Sequence, residues 1–203
     1  MKTIAILASG NGSNAENIIR AVQSKKIKAQ IAFVFSNKRD AKVLERAKRL
    51  KVPYVAFEMK DFKTREAYEA QLIKFLKLEK VDVIVLAGYM LLLGSAFLRA
   101  YKNKIINIHP SLLPSFKGTH AIQEAFEYGV RVSGVTVHFV EPALDSGPII
   151  LQKEVPLQNG EKLQDFEKRI HKVEHELYPK ALQLVLDGKC VLRGRRVILK
   201  NRR

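Results

Sequence analysis

Apolar residues along the 203-residue chain gather into short runs separated by stretches of helical period. Strand-like runs occupy 3–8, 30–36 (QIAFVFS), 81–87 (VDVIVLA), 105–109, 134–140 (GVTVHFV) and 149–155. Helix-period segments lie near 13–24, 40–51 and 61–79. Strand and helix therefore alternate through the first half, the order that builds βαβ units and a parallel sheet covered on both faces. GVTVHFV instead alternates apolar and polar residues, and the next run follows without a helix, so an antiparallel pair is expected late in the sheet. A long helix over 161 to about 187 comes next. Phe166, Ile170, Val173, Leu177, Ala181 and Leu184 form its apolar stripe, and Asp187-Gly188 closes it. The pattern predicts an α/β fold: a doubly wound, mostly parallel, Rossmann-like sheet with late antiparallel strands. With no repeat and no low-complexity linker, residues 1–203 read as a single domain.

Composition adds ample apolar content for a core, 47%, and no run long enough to span a membrane. The opening MKTIAILASG places Lys2 before an apolar run, as a signal peptide does, but Ile4 to Ala8 is short and leads into a strand-turn. One cysteine, Cys190, leaves no internal disulfide framework and suits a reducing compartment, so a cytoplasmic location is expected. Charge is the strongest bulk feature: 36 Lys and Arg against 20 Asp and Glu, a formal +16. Such a field attracts polynucleotides, phosphorylated metabolites or carboxylates. Most of it, as in RDAKVLERAKRLK, sits at helical spacing among acids and reads as solvated helix faces. The exception is the basic tail, about 190–203, where RGRRVILKNRR has no acids.

The first strand runs into Ser9-Gly10-Asn11-Gly12-Ser13-Asn14, and a helix opens at once. Glycines let backbone N–H groups approach a ligand, and a helix N-terminus adds free donors and partial positive charge, so a phosphate is the natural guest. A side chain at Gly12 would stand where the anion sits. The alternative is a tight turn with Ser13 or Asn14 capping the helix. Gly10-x-Gly12-x-x-Ala15 also fits the dinucleotide fingerprint, but that expects an acid after the second strand, and here Ser36-Asn37-Lys38-Arg39 stands. NAD is disfavoured, whereas NADP held by Lys38 or Arg39 stays open.

IINIHPSLLPSFKG, residues 105–118, begins as a strand and is stopped by Pro110 and Pro114. Asn107 and His109, two apart, share a face at the strand's carboxyl end, where open α/β sheets place ligands. Burying both in a core would leave polar groups to satisfy at about 1–3 kcal/mol each, so a cleft is expected. An amide N–H and an imidazolium N–H aimed at one point make a donor pair for a developing oxyanion. HPSLLP lacks a nucleophile elbow and no metal-ligand spacing of His or Cys occurs, so no metal is expected. The chemistry indicated is acyl transfer to a nucleophile that the substrate brings. Asp145, in EPALDSGP where Gly147 and Pro148 fix the turn, is the candidate carboxylate for His109; the alternative is an ordinary turn Asp.

GNGSN, AGYM, NIHPSLLP and GVTVHFVEPALDSGPII, in this order and spacing, resemble the phosphoribosylglycinamide formyltransferase family of folate-dependent purine synthesis. NIHPSLLP with the late Asp-x-Gly marks the wider folate formyltransferase superfamily. The resemblance covers nearly the whole chain and weakens at the tail. It implies the formyltransferase version of the Rossmann-like fold, and transfer of a formyl group from 10-formyltetrahydrofolate, as cosubstrate, to the amine of glycinamide ribonucleotide. It further implies that Asn107 and His109 polarise the formyl oxygen while Asp145 keeps His109 protonated and helps shuttle protons through water. Gly12, Ser13 and Asn14 would hold the ribonucleotide phosphate, and Glu174 its sugar or glycinamide end; the residues alone would make Glu174 a surface charge. Arg65, Asn107 and the stretch Met90, Leu91, Leu92, Leu93 would line the folate site. Family members often carry Arg at the position of Leu91, which leaves one contact to the benzoylglutamate end in question.

Other readings fit less of the chain. Formyltetrahydrofolate deformylase uses the same three residues on water but typically has a preceding domain, whereas the first strand here begins at Thr3. Methionyl-tRNA formyltransferase would explain the charge but needs a further C-terminal domain. A basic nucleic-acid module leaves Asn107, His109 and Asp145 unemployed and lacks basic-aromatic interleaving. An NADP reductase explains the first loop and not the second. The partners expected are two small molecules, with no nicotinamide, nucleic acid or membrane, acting on a monomer or weak homodimer.

Overall fold

A computed structural model of the chain describes residues 1–200. Seven strands form one sheet in the order β3-β2-β1-β4-β5-β6-β7. They are β1 Lys2–Leu7, β2 Ala29–Ser36, β3 Tyr54–Ala56, β4 Val83–Leu86, β5 Ile105–His109, β6 Val132–Phe139 and β7 Ile149–Pro156. β1 pairs in parallel with β2 and β4, β2 with β3 in parallel, and β6 with β7 antiparallel. The mostly parallel α/β architecture with a late antiparallel pair is the one the pattern predicts. By internal contacts the chain divides into two compact units, Met1–Ile106 and Asn107–Arg203.

In the first unit the central strands are apolar without alternation, as strands covered on both faces must be. Ile4 to Ala8 are fully buried, as are Ile84 and Val85. The helices are α1 Ser13–Gln23, α2 Lys42–Arg49, α3 Arg65–Leu78 and α4 Ser95–Ala100. α3 starts four residues later than the periodicity suggests. Met59–Asp61 is a short 3-10 turn, and the Thr64 hydroxyl accepts the Ala67 N–H at 3.1 Å, which fixes the helix start. β3 and α4 escape the sequence pattern because three and six residues are too short to show a period. An aromatic cluster of Phe35, Phe57, Phe62 and Tyr68 fills the space beside α3, with ring centroids 4.7 to 6.4 Å apart.

The second unit holds α5 Ala121–Tyr128, α6 Leu163–Leu186, and a two-stranded hairpin, β8 Cys190–Arg193 with β9 Arg196–Leu199. α5, eight residues, was not predicted. The expected stripe of α6 is rotated. Phe166, Ile170, Leu177 and Ala181 are buried, but Val173 and Leu184 are only half-buried, and Glu174, Tyr178, Leu182 and Val185 take the inner positions. A helix of 24 residues drifts against any short repeat, and its neighbours decide which face is covered. The end is as expected, with Asp187 at the C-cap and Gly188 at φ 67°. Within the basic tail the described part forms the hairpin, and residues 201–203 lie outside the described residues.

Despite the alternation of apolar and polar residues in β6, every residue from Ser133 to Phe139 is buried. The polar face of GVTVHFV is covered by the segment after β5. A Cβ at Gly134 would come within 2.6 Å of Leu112 Cδ2. Thr136 Oγ1 donates to the Ser111 carbonyl at 2.7 Å and accepts from Leu113 N at 3.1 Å and Gln152 Nε2 at 2.9 Å. The buried polar atoms of this face are thus paired, and the proline-bounded segment Ser111–Leu113 lies fixed along β6.

Candidate functional site

Candidate residues occur in both units. In the second, β5 delivers Asn107 and His109 on one face at its carboxyl end, as the two-residue period requires. His109 is buried rather than in an open cleft, and both its ring nitrogens face oxygens. Nε2 donates to the Phe116 carbonyl at 2.7 Å, and Nδ1 lies 3.5 Å from Asp145 Oδ2. Asp145 is no ordinary turn residue: its carboxylate is buried, its backbone is left-handed at φ 47°, and Oδ2 also accepts the Gly118 N–H at 2.9 Å. The turn needs Gly147, where any Cβ would run into the Phe139 carbonyl.

A residue that sequence reasoning passed over completes the group. His138, at the end of β6, places Nε2 3.8 Å from Asp145 Oδ1 and 3.4 Å from Asn107 Nδ2. Nδ1 donates to the Phe139 carbonyl at 2.7 Å, which leaves Nε2 of the neutral ring to accept the amide N–H of Asn107. Burial pushes the His138 imidazole below its usual range, against the Phe139 carbonyl and Asp145, which raise it. The β6–β7 register shifts between Val137 and His138, so the ladder is interrupted where this ring must turn toward the site. The signal was present, since a histidine ending a strand repeats the arrangement of His109, but inside GVTVHFV it read as part of an alternating face. Asp145 thus faces both His109 and His138, and His138 in turn faces Asn107. Glu174 is buried on α6 and accepts from His171 Nδ1 at 2.9 Å, contrary to the surface charge that the residues alone suggest. That bond raises the His171 imidazole above its usual range.

In the first unit Gly12 is the N-cap of α1 at φ 74°, and its carbonyl accepts Glu16 N at 2.9 Å. Ser13 and Asn14 are already helical and are not the cap residue. A Cβ at Gly12 would lie 2.5 Å from Val43 Cβ, so a side chain there meets α2. Ser9 joins this loop to a second one: its hydroxyl donates to Asn37 Oδ1 at 2.6 Å and accepts Met90 N at 2.8 Å. Beyond Met90, Arg65 donates to the Leu92 carbonyl and, through Nε at 3.1 Å, to Glu69, which also accepts Gly94 N at 2.8 Å. Met90 and Leu92 are each 61% exposed, an apolar pair held open beside a guanidinium. Arg39, the candidate for an NADP phosphate, is paired with Asp61 at 2.7 Å.

The family described as formyl transferase matches residues 2–182. The chain belongs to the formyl transferase family. It is 46% identical to a phosphoribosylglycinamide formyltransferase of Bacillus subtilis over 186 residues, covering 92% of this chain and 95% of that one. The protein of the same description from Escherichia coli is 42% identical over 186 residues, 92% of this chain and 88% of the relative. Among solved structures, glycinamide ribonucleotide transformylase 1 from Symbiobacterium toebii superposes with a TM-score of 0.96 at 42% identity, covering 99% of this chain and 95% of that one. For a formyl transferase, acyl transfer needs donors where an oxyanion develops and a carboxylate to manage protons. Asn107, His109 and Asp145 are residues of those types. Among the described residues no group of three or more His, Cys, Asp or Glu is placed to hold a metal ion, and no helix is long and apolar enough to cross a membrane.

Proposed function

We propose that this formyl transferase moves the formyl group of 10-formyltetrahydrofolate to the primary amine of glycinamide ribonucleotide. The observation that carries the reading is the Asn107, His138, Asp145 and His109 group in a chain so similar to enzymes of that description. The amine nitrogen attacks the formyl carbon, and the carbonyl electrons move onto oxygen. Asn107 Nδ2 and an N–H of His109 stabilise that oxyanion; Nε2 reaches it by exchanging its bond to Phe116. As the new C–N bond forms, the amine loses a proton toward Asp145, directly or through water. When the oxyanion collapses, the bond from the formyl carbon to N10 of the folate breaks and N10 takes up a proton. His138 holds the Asn107 amide in the donating orientation.

Gly12, Ser13 and Asn14 receive the ribonucleotide phosphate at the N-terminus of α1. Glu174 binds the sugar or glycinamide end. Arg65 faces the folate carboxylates while Met90, Leu91, Leu92 and Leu93, with Asn107, line the rest of the cosubstrate site. Arg65 keeps about half its side chain exposed despite its pairing with Glu69, so donors remain for a carboxylate. The enzyme works in the cytoplasm as a single functional domain over 1–203, a monomer or weak homodimer, on small molecules and without metal or nicotinamide. Mass spectrometry of the ribonucleotide after incubation with 10-formyltetrahydrofolate tests the reading: a formylated ribonucleotide is expected, and an unmodified one beside consumed folate contradicts it.

A further inference from the structure

The first loop is held from behind by α2. Val43 N donates to the Gly10 carbonyl at 3.1 Å. Arg46 Nε donates to the Asn11 carbonyl at 2.7 Å and Nη2 to Asn11 Oδ1 at 2.8 Å, while Nη1 pairs with Glu16 on α1. In a trans peptide the carbonyl and the following N–H point opposite ways. Turning the Gly10 and Asn11 carbonyls toward α2 therefore turns the Asn11 and Gly12 N–H groups away from it, off the loop's free side. Rotation of the 11–12 peptide would instead aim a carbonyl oxygen at an approaching anion. We propose that Arg46 is a positioning residue that locks the 11–12 peptide so that the loop presents N–H donors to the substrate phosphate; this rests on the phosphate reading of Gly12 to Asn14.

Arg46 acts through the loop, with Nε and Nη2 on Asn11 and Nη1 on Glu16. Glu16, which also binds Arg20 and Arg49 at 2.7 Å each, fixes the far side of the guanidinium. Arg46 is in turn the leading cause that holds the Glu16 carboxyl below its usual range. The planar fork matters: a lysine at 46 supplies charge but cannot span Asn11 and Glu16 at once.

The test compares kcat/KM for glycinamide ribonucleotide and for its dephosphorylated riboside, in wild type, Arg46→Ala and Arg46→Lys. Wild type should strongly prefer the phosphorylated substrate. Arg46→Ala should lower that preference by about tenfold, a change of 1.4 kcal/mol, through the KM of the ribonucleotide. Its activity on the riboside and its KM for 10-formyltetrahydrofolate should stay unchanged, which a general loss of structure would not allow. Arg46→Lys should fall between, and decides the matter if Arg46→Ala does not fold. A wild-type preference retained in both variants overturns the role of Arg46. If wild type itself shows no preference, the phosphate reading of the loop fails and this proposal falls with it.

Discussion

Asp145 Oδ2 lies 3.5 Å from Nδ1 of His109, and its other oxygen faces His138 at 3.8 Å. One carboxylate thus stands between two imidazoles at the ends of neighbouring chain segments. Asp145→Asn keeps the shape and the acceptor for Gly118 N–H but removes the charge. A proton-managing role predicts that kcat falls by about tenfold or more while both KM values hold. Steady-state kinetics check this, and a wild-type kcat would take Asp145 out of the mechanism.

Asn107→Ala removes a donor aimed at the oxyanion, a loss that typically costs about 10²–10³ in kcat. His138→Ala leaves the amide in place but frees its orientation, so a smaller fall is expected. In the double variant the effect of His138→Ala should vanish, because there is no amide left to orient. Additive losses would mean that His138 acts on something other than Asn107.

His138 also sets a pH dependence of stability. Burial depresses its folded-state pKa below the ordinary 6.5, so between that folded value and 6.5 the unfolded chain binds a proton the folded one does not. Its contribution is fully present above 6.5 and is lost as pH falls below it toward the folded value. Urea midpoints measured across the acid side of neutrality should drop more steeply in wild type than in His138→Gln, which cannot charge. Parallel curves would contradict the buried neutral ring.

Gly12→Ala tests the packing of the first loop on α2. The new Cβ meets Val43 at a backbone angle of φ 74°, so a loss of about 1–3 kcal/mol is expected in denaturant titrations. Val43→Ala in the same chain removes the γ carbons but keeps Cβ, so it should recover only part of the steric loss and leave the backbone strain. Strict additivity of the two substitutions would place the clash elsewhere.

How much of this was written in the chain depends on the range of the signal. Asn107 and His109 were legible because the two-residue period and a proline stop act within five positions. The α/β order of the long elements was legible for the same reason. β3 and α4 were too short to show a period, and the covering of β6 depends on the segment around Leu112, some twenty residues away. His138 needed the interruption of the ladder at Val137, which is a property of the strand pair. The direction of a Cβ at Gly12 depended on where Val43 sits, and no loop motif carries that.

The most direct measurement of the central claim is the rate at which 10-formyltetrahydrofolate loses its formyl group with and without glycinamide ribonucleotide. A site built for an amine brought by the substrate gives water little help. Turnover should be fast with the ribonucleotide, near background without it, and matched by formylated ribonucleotide. Equal rates in both mixtures would contradict the account and make the chain a hydrolase of the same donor.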